Sequence, residues 1–243
     1  MILVLAATPL ETKLLRQHLS DQQVTLCASS HVISGRLYHQ EVLLAHSGIG
    51  LVNMAILTSQ ILNQYSPDCV FVVGCGGSYP NSGLSNGDLV LADCEIYGDL
   101  GVEIKDDFLL LDGIVRKNTN LLVRDVQQTF MFNKSLISFI VNLMPHITVG
   151  PFVSVNCCSG TPELGLKIEE RTQGICENME GAAAAQLCAE ANIPMIELRG
   201  ISNPTGTRDP EQWELLKGTE CAQNGLLKLL KTWPPNCEIL CKN

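Results

Sequence analysis

The chain has 243 residues, 46% of them hydrophobic and 17% charged, and carries a formal net charge of −9. That length fits one large α/β domain or two small ones, with ample apolar material for a core. The acidic balance excludes nonspecific attraction to nucleic acid or to an anionic membrane, because phosphate-rich surfaces attract a basic face.

No apolar run reaches the ~18–20 residues that span a bilayer. The opening MILVLAATPLE has no basic leader and too short an apolar run for a signal peptide, so it reads as a first strand. There are 11 cysteines and 5 histidines. No Cys-x-x-Cys pair occurs, and the histidines do not cluster with the cysteines, so zinc ligation has little support. Cysteines inside apolar stretches, such as Cys69 and Cys188, act as small hydrophobes. The pattern fits free thiols in a reducing cytoplasm. The adjacent Cys157 and Cys158 are the pair open to redox chemistry.

In chain order, ILVLAA over 2–7 predicts a strand. PLETKLLRQHL over 9–19 has helical spacing behind Thr8, a good N-cap. Residues 31–48 read as two strands or a hairpin, and 51–65 as a strongly apolar helix. DCVFVVG over 68–74 is a continuous apolar run, as in a strand buried on both faces of a parallel sheet. Residues 87–99 and 147–156 predict further strands, and the weak pattern between 101 and 133 predicts irregular structure. An Ala-rich helix follows at 180–193, a strand at 194–200 and a closing helix at 211–233. Strand–helix alternation from end to end predicts a single doubly wound α/β domain over 1–243.

In such sheets ligands sit beyond the carboxyl ends of the strands. The polar residues expected there are Thr8 and Glu11, Gly74 to Gly77, Asn156, Glu177 to Glu180, and Arg199 to Asn203. A polar turn would explain Gly200 and Asn203. It would not explain an arginine at the end of a buried strand.

Three ordered segments, VVGCGG (72–77), ENMEGAA (177–183) and LRGISN (198–203), resemble the nucleoside phosphorylase/nucleosidase superfamily. LAATPLE (5–11) resembles its nucleosidase branch, and the likeness runs from residue 1 to about 232. GLSNGDLVLADCEIYGDLGVE (83–103) and RGISN are similar to the futalosine hydrolases, with the methylthioadenosine/S-adenosylhomocysteine nucleosidases as near relatives. The resemblance implies a three-layer α/β/α domain with a twisted, mostly parallel mixed central sheet. It further implies a purine nucleoside as small-molecule partner, a homodimer, and neither cofactor nor metal.

Cleavage of an N-glycosidic bond builds positive charge on the ribose and negative charge on the departing base, by the logic of glycoside hydrolysis. By resemblance, Glu11 activates the attacking water; read alone, it is also an ordinary first-turn helix acid. Glu180 and Met179 resemble the family's ribose-binding pair, the acid taking the hydroxyls and opposing the cationic sugar. Without the resemblance, Glu180 is an acid at a helix N-terminus. Arg199 resembles the family arginine near the ribose and nucleophile, braced by a carboxylate.

Asn203 matches the position that meets the purine N7 edge, with Ser202 orienting its amide. Methylthioadenosine nucleosidases have aspartate there. An amide donates to N7 but is no effective acid, so asparagine points to a hypoxanthine leaving group without excluding adenine. Cys75 and Gly76 fall in the base-binding segment, Cys75 standing where many members have serine or threonine. Cys158 and Ser159 align with the segment that sandwiches the base, without the aromatic common there. Arg208 and Trp213 are candidates for the 5′ group, futalosine's being a carboxylate; a solvated loop and a core tryptophan are the alternative. A phosphorylase needs cations for phosphate, and near Glu11 only Lys13 offers one.

Overall fold

The computed structural model describes residues 1–105, 107–111 and 127–234. Strand β1 (Ile2–Ala6) leads through a 3-10 turn at Pro9–Thr12 into helix α1 (Lys13–His18). Three strands follow, β2 (Ser20–Cys27), β3 (Ser30–Leu37) and β4 (Gln40–His46), then α2 (Leu51–Gln64), β5 (Cys69–Ser78) and β6 (Leu89–Tyr97). Strands β7 (Gly101–Ile104) and β8 (Asp107–Leu110) form a hairpin of their own. The chain continues with β9 (Thr129–Met131), α3 (Lys134–Leu143), β10 (Thr148–Ser154), α4 (Pro162–Thr172), β11 (Cys176–Asn178) and α5 (Gly181–Glu190). It ends in β12 (Met195–Pro204), a 3-10 turn at Pro210–Gln212, and α6 (Leu215–Thr232).

Several elements depart from the sequence reading. The helix expected over 9–19 starts as a 3-10 turn, because the Glu11 carboxylate turns back onto Thr8. The stretch read as irregular, 101–133, holds the β7–β8 hairpin and β9, with residues 106 and 112–126 outside the described residues. Strand β2, and helices α3 and α4, carry no expectation from sequence. Cys237 and Cys241 lie outside the described residues.

Strand β5 is the centre of the sheet. It runs parallel to β1 and β12, and β1 runs parallel to β4. Beyond β12 the order continues through β6 and β10 to β11. Strand β11 then pairs back onto β5, antiparallel, so that β5, β12, β6, β10 and β11 form a closed ring. The ring interior is filled by Val90, Ala92, Phe152, Cys176 and Ile201.

Alternation along the strands sends side chains to two layers. Ile2, Val4 and Ala6 face α1, α3 and α6, with Trp233 buried against Phe71 at 5.1 Å between ring centroids. Leu3 and Leu5 face α2 and α5, whose Ala182 to Ala185 run lets the helix sit close to the sheet. Three layers thus enclose a mixed sheet, as the resemblance implies. No helix among the described residues is long and apolar enough to cross a membrane.

Candidate active site

The carboxyl ends of β1, β5, β11 and β12 surround a cavity of about 430 Å³, a volume suited to a small ligand. It is lined by Glu11, Cys75, Gly76, Cys158, Ser159, Met179, Glu180, Arg199, Ser202, Asn203, Arg208 and Trp213. The fold therefore brings together the catalytic and binding candidates that the resemblance implies, whereas Asn156, also expected at the ligand end, is turned onto Asp99 instead.

Glu11 is buried, at 5% exposure. Its Oε2 accepts the Thr8 N–H (2.8 Å) and the Thr8 hydroxyl (3.0 Å). Its Oε1 accepts the Cys75 N–H at 3.1 Å. The carbonyl of Cys75 accepts from Arg199 Nη1 at 3.0 Å, so one residue's backbone ties the carboxylate to the guanidinium. Gly74 makes this approach possible: a Cβ there would stand 2.4 Å from Glu11 Oε1 and 2.7 Å from Arg199 Nη1. The Cys75 thiol lies beside Glu11, and burial, then the Glu11 charge, pushes its pKa up to about 12. It is a neutral thiol at neutral pH.

Arg199 is 2% exposed. Its Nε donates to Glu197 Oε1 at 2.8 Å, and its Nη2 lies 3.5 Å from Glu180 Oε2 and 3.3 Å from Asn178 Oδ1. Burial works against its charge, but Glu197, Glu180 and Glu11 outweigh it and hold the guanidinium's pKa above its ordinary value. Glu180 Oε1 also accepts the N–H of Gly50 at 2.9 Å, where the chain enters α2 at φ +104, a conformation open to glycine.

Behind Arg199 stands a second carboxyl. Glu95 and Glu197 are both fully buried, and their carboxyls meet beside Gly181, where a Cβ would stand 2.1 Å from Glu95 Oε1 and 2.4 Å from Glu197 Oε2. Burial, then the Glu197 charge, raises the Glu95 pKa well above the carboxylate range. Burial raises the Glu197 pKa as well, but the Arg199 charge and its hydrogen bond oppose that rise, so the proton belongs on Glu95 and the charge on Glu197. Asn178 Nδ2 (2.6 Å) and Ser154 Oγ (2.8 Å) complete the shell of Glu95.

Further along β12, Ser202 Oγ donates to Asn203 Oδ1 at 2.7 Å, which leaves the Asn203 NH₂ to donate elsewhere. One of its protons is held by the Pro204 carbonyl at 3.0 Å. Ser159 does not stand free: its N–H (3.0 Å) and hydroxyl (2.5 Å) both go to Glu177. Arg208 is exposed, with its guanidinium carbon 5.0 Å from the Trp213 ring centroid, and the Trp213 indole N–H is spent on the Thr207 carbonyl at 2.8 Å. Leu10, Ile49 and Leu215 add apolar walls to the cavity.

Sequence reasoning missed Glu95 and Glu197 and left Glu177 without a role. Glu197 had a legible signal, since it lies two residues before Arg199 on the same face of a strand. Nothing local points to Glu95.

The family model of the phosphorylase superfamily matches residues 1–232. A 5′-methylthioadenosine/S-adenosylhomocysteine nucleosidase of Staphylococcus saprophyticus is 28% identical over 205 residues, covering 84% of this chain and 86% of that protein. A futalosine hydrolase of Thermus thermophilus is 29% identical over 188 residues, covering 76% and 79%. In fold, the chain matches the S-adenosylhomocysteine nucleosidase of Streptococcus pyogenes, solved with 5-methylthiotubericidin, at a TM-score of 0.82 and 21% identity, covering 96% of this chain and 97% of that one. The chain belongs to the phosphorylase superfamily.

Proposed function

We propose that the protein is a metal-free purine nucleosidase of the futalosine type, releasing the base of futalosine or aminodeoxyfutalosine to water on the futalosine route to menaquinone. The observation that carries the reading is the cavity's polarity. Two buried carboxylates, Glu11 and Glu180, line the cavity together with the Asn203 amide. Glu11 accepts the proton of a water attacking the anomeric carbon. Glu180 accepts the ribose hydroxyls, Met179 covers the sugar face, and both carboxylates oppose the charge that develops on the ribosyl group. Cys75, Gly76, Cys158 and Ser159 form the remaining wall around the base. Asn203 steadies N7 of the departing purine without serving as a strong acid, which suits hypoxanthine.

The 5′ arm then reaches Arg208 and Trp213, where an exposed guanidinium suits the acidic arm of futalosine. Phosphate as nucleophile is disfavoured because Arg199 is held by Glu197, Glu180 and Glu11. The second reading, methylthioadenosine/S-adenosylhomocysteine nucleosidase, draws support from the apolar walls at Leu10 and Ile49, which would suit an alkylthio group. A cytoplasmic homodimer is part of the proposal, formed through α2, where Val52 and Ile56 are 68% and 52% exposed beside Ile49. Sedimentation at micromolar concentration tests it, and a monomer alone would overturn it.

The deciding experiment incubates the protein without phosphate with futalosine, aminodeoxyfutalosine and methylthioadenosine, and follows base release by chromatography. Hypoxanthine from futalosine is the expected product. Adenine from methylthioadenosine, with both futalosine compounds inert, would select the second reading. Turnover only when phosphate is added would sink the hydrolase mechanism.

A further inference from the structure

Helix α5 begins without help from its own first residue. The first N–H groups of a helix have no partner inside it. Glu180 stands at the N-cap, yet its side chain makes no capping bond. The N–H groups of Glu180 (2.9 Å) and Gly181 (2.8 Å) go instead to Oδ1 of Asn178, whose side chain closes the turn as asparagine does elsewhere. The Glu180 carboxylate is thereby left for Gly50, Arg199 and the cavity.

The same Asn178 oxygen lies 3.3 Å from Arg199 Nη2. Asn178 thus touches both members of the Glu180–Arg199 pair, the backbone of one and the guanidinium of the other. Its orientation is fixed from behind. Asn178 Nδ2 donates to Glu95 Oε1 at 2.6 Å, so the oxygen faces the helix and Arg199. Ser154, its neighbour in register on β10, bridges Glu95 Oε2 (2.8 Å) and Asn178 Oδ1 (2.9 Å) and accepts the Ala182 N–H at 2.8 Å. Asn178 is 4% exposed. A carbonyl oxygen has two lone pairs, and with protein donors crowded around them this one has none left for a ligand.

We propose that Asn178 is a positioning residue: one oxygen sets the Glu180 carboxylate and the Arg199 guanidinium relative to each other, and so shapes the ribose subsite while touching no substrate. This rests on the nucleosidase reading above, in which Glu180 takes the ribose hydroxyls.

The test compares Asn178→Ala with Asn178→Ser. Serine can still accept a helix N–H, as capping serines do, but it is too short to reach Arg199 and Glu95 as well. If Asn178 only capped the helix, the serine variant would match the wild type. Under the proposal both variants lose about 100-fold in kcat/KM for the best of the three nucleosides named above, the cost of displacing a catalytic group by about 1 Å. Calorimetric affinity for the free purine should be unchanged, because Glu180 takes the ribose and not the base. Normal kcat/KM in the serine variant overturns the proposal, and so does a parallel loss of nucleoside turnover and free-base affinity. If the alanine variant does not fold, the serine variant alone carries the comparison. Crystal structures give a reading without turnover: the Glu180 carboxylate should leave its place 3.5 Å from Arg199 Nη2, and an unmoved pair overturns the proposal. A wild type that releases no base from any of the nucleosides would sink the nucleosidase reading, and the crystal structures would still decide the role of Asn178.

Discussion

Arg199 Nε meets Glu197 Oε1 at 2.8 Å, two residues away on the same face of β12, with both side chains at 2% exposure or less. Glu95, protonated, closes the far side of the pair. The two acids behind Arg199 thus have different tasks. Glu95→Gln replaces a neutral acid by a neutral amide of the same shape, so kcat/KM should stay within about tenfold of wild type. Glu197→Gln removes the charge that Arg199 needs, and breaking a buried pair costs about 3–5 kcal/mol of stability. Urea denaturation and steady-state kinetics on both variants check this. Equal damage from the two substitutions would show that the proton is not on Glu95.

Glu11→Gln and Glu180→Gln should each lower kcat by about 10² to 10⁴, the usual contribution of a positioned acid or base. Circular dichroism should remain native. Glu180→Gln should also raise KM, because it loses ribose hydroxyl contacts, whereas Glu11→Gln should act on kcat alone. Full activity in both would end the mechanism.

Gly74→Ala tests the approach of Glu11 to Arg199. The added methyl would meet Glu11 Oε1 at 2.4 Å. A displacement of about 1 Å at a catalytic group can cost on the order of 100-fold in rate. The expected result is that loss in kcat together with a lowered melting temperature, since the methyl would also stand 2.7 Å from the buried Arg199 Nη1. A Gly74→Ala enzyme of normal rate would show that Glu11 does not need its observed position.

Much of this was legible in the sequence, for definite reasons. Strands β1 and β5 are continuous apolar runs, and α2 and α5 have clear helical composition. The site residues cluster at strand ends, where a doubly wound sheet places ligands. Strand β2 was not legible because its SDQQVTLC is exposed at all positions but the last, leaving no alternation to read. Helix α4 is amphipathic but short, and its start depends on the Thr161 hydroxyl accepting the Leu164 N–H. The groups that set the surroundings of Glu95 and Glu177, Glu197 and Tyr79, lie 102 and 98 positions away, so no local pattern could reveal them.

Stability should fall on mild acidification through His46. Its Nε2 lies 2.6 Å from the Thr12 hydroxyl, which also accepts from Arg16 Nε at 3.3 Å. That geometry fits a neutral imidazole accepting the Thr12 proton. Burial, then the Arg16 charge, lowers the His46 pKa to about 4, against 6.5 for the free side chain. The unfolded chain therefore binds a proton between those values that the folded chain does not, and stability declines as pH drops from about 6.5 to about 4. His46→Gln should flatten the dependence of melting temperature on pH in that window. An identical slope in the variant would assign the decline to other groups.

The pairing of β11 with both β10 and β5 has a consequence for how such a protein can change over evolutionary time. A strand hydrogen-bonded on both sides cannot slip by one residue, a shift that would turn Glu177 out of the cavity and Cys176 into it. Single side chains at 177 and 203, which line the cavity, can therefore be exchanged without shifting the strands that carry them. The 3-10 turn that holds Glu11 and the strand that holds Arg199 need not move with them, so the cavity wall can vary while those two side chains are inherited in place.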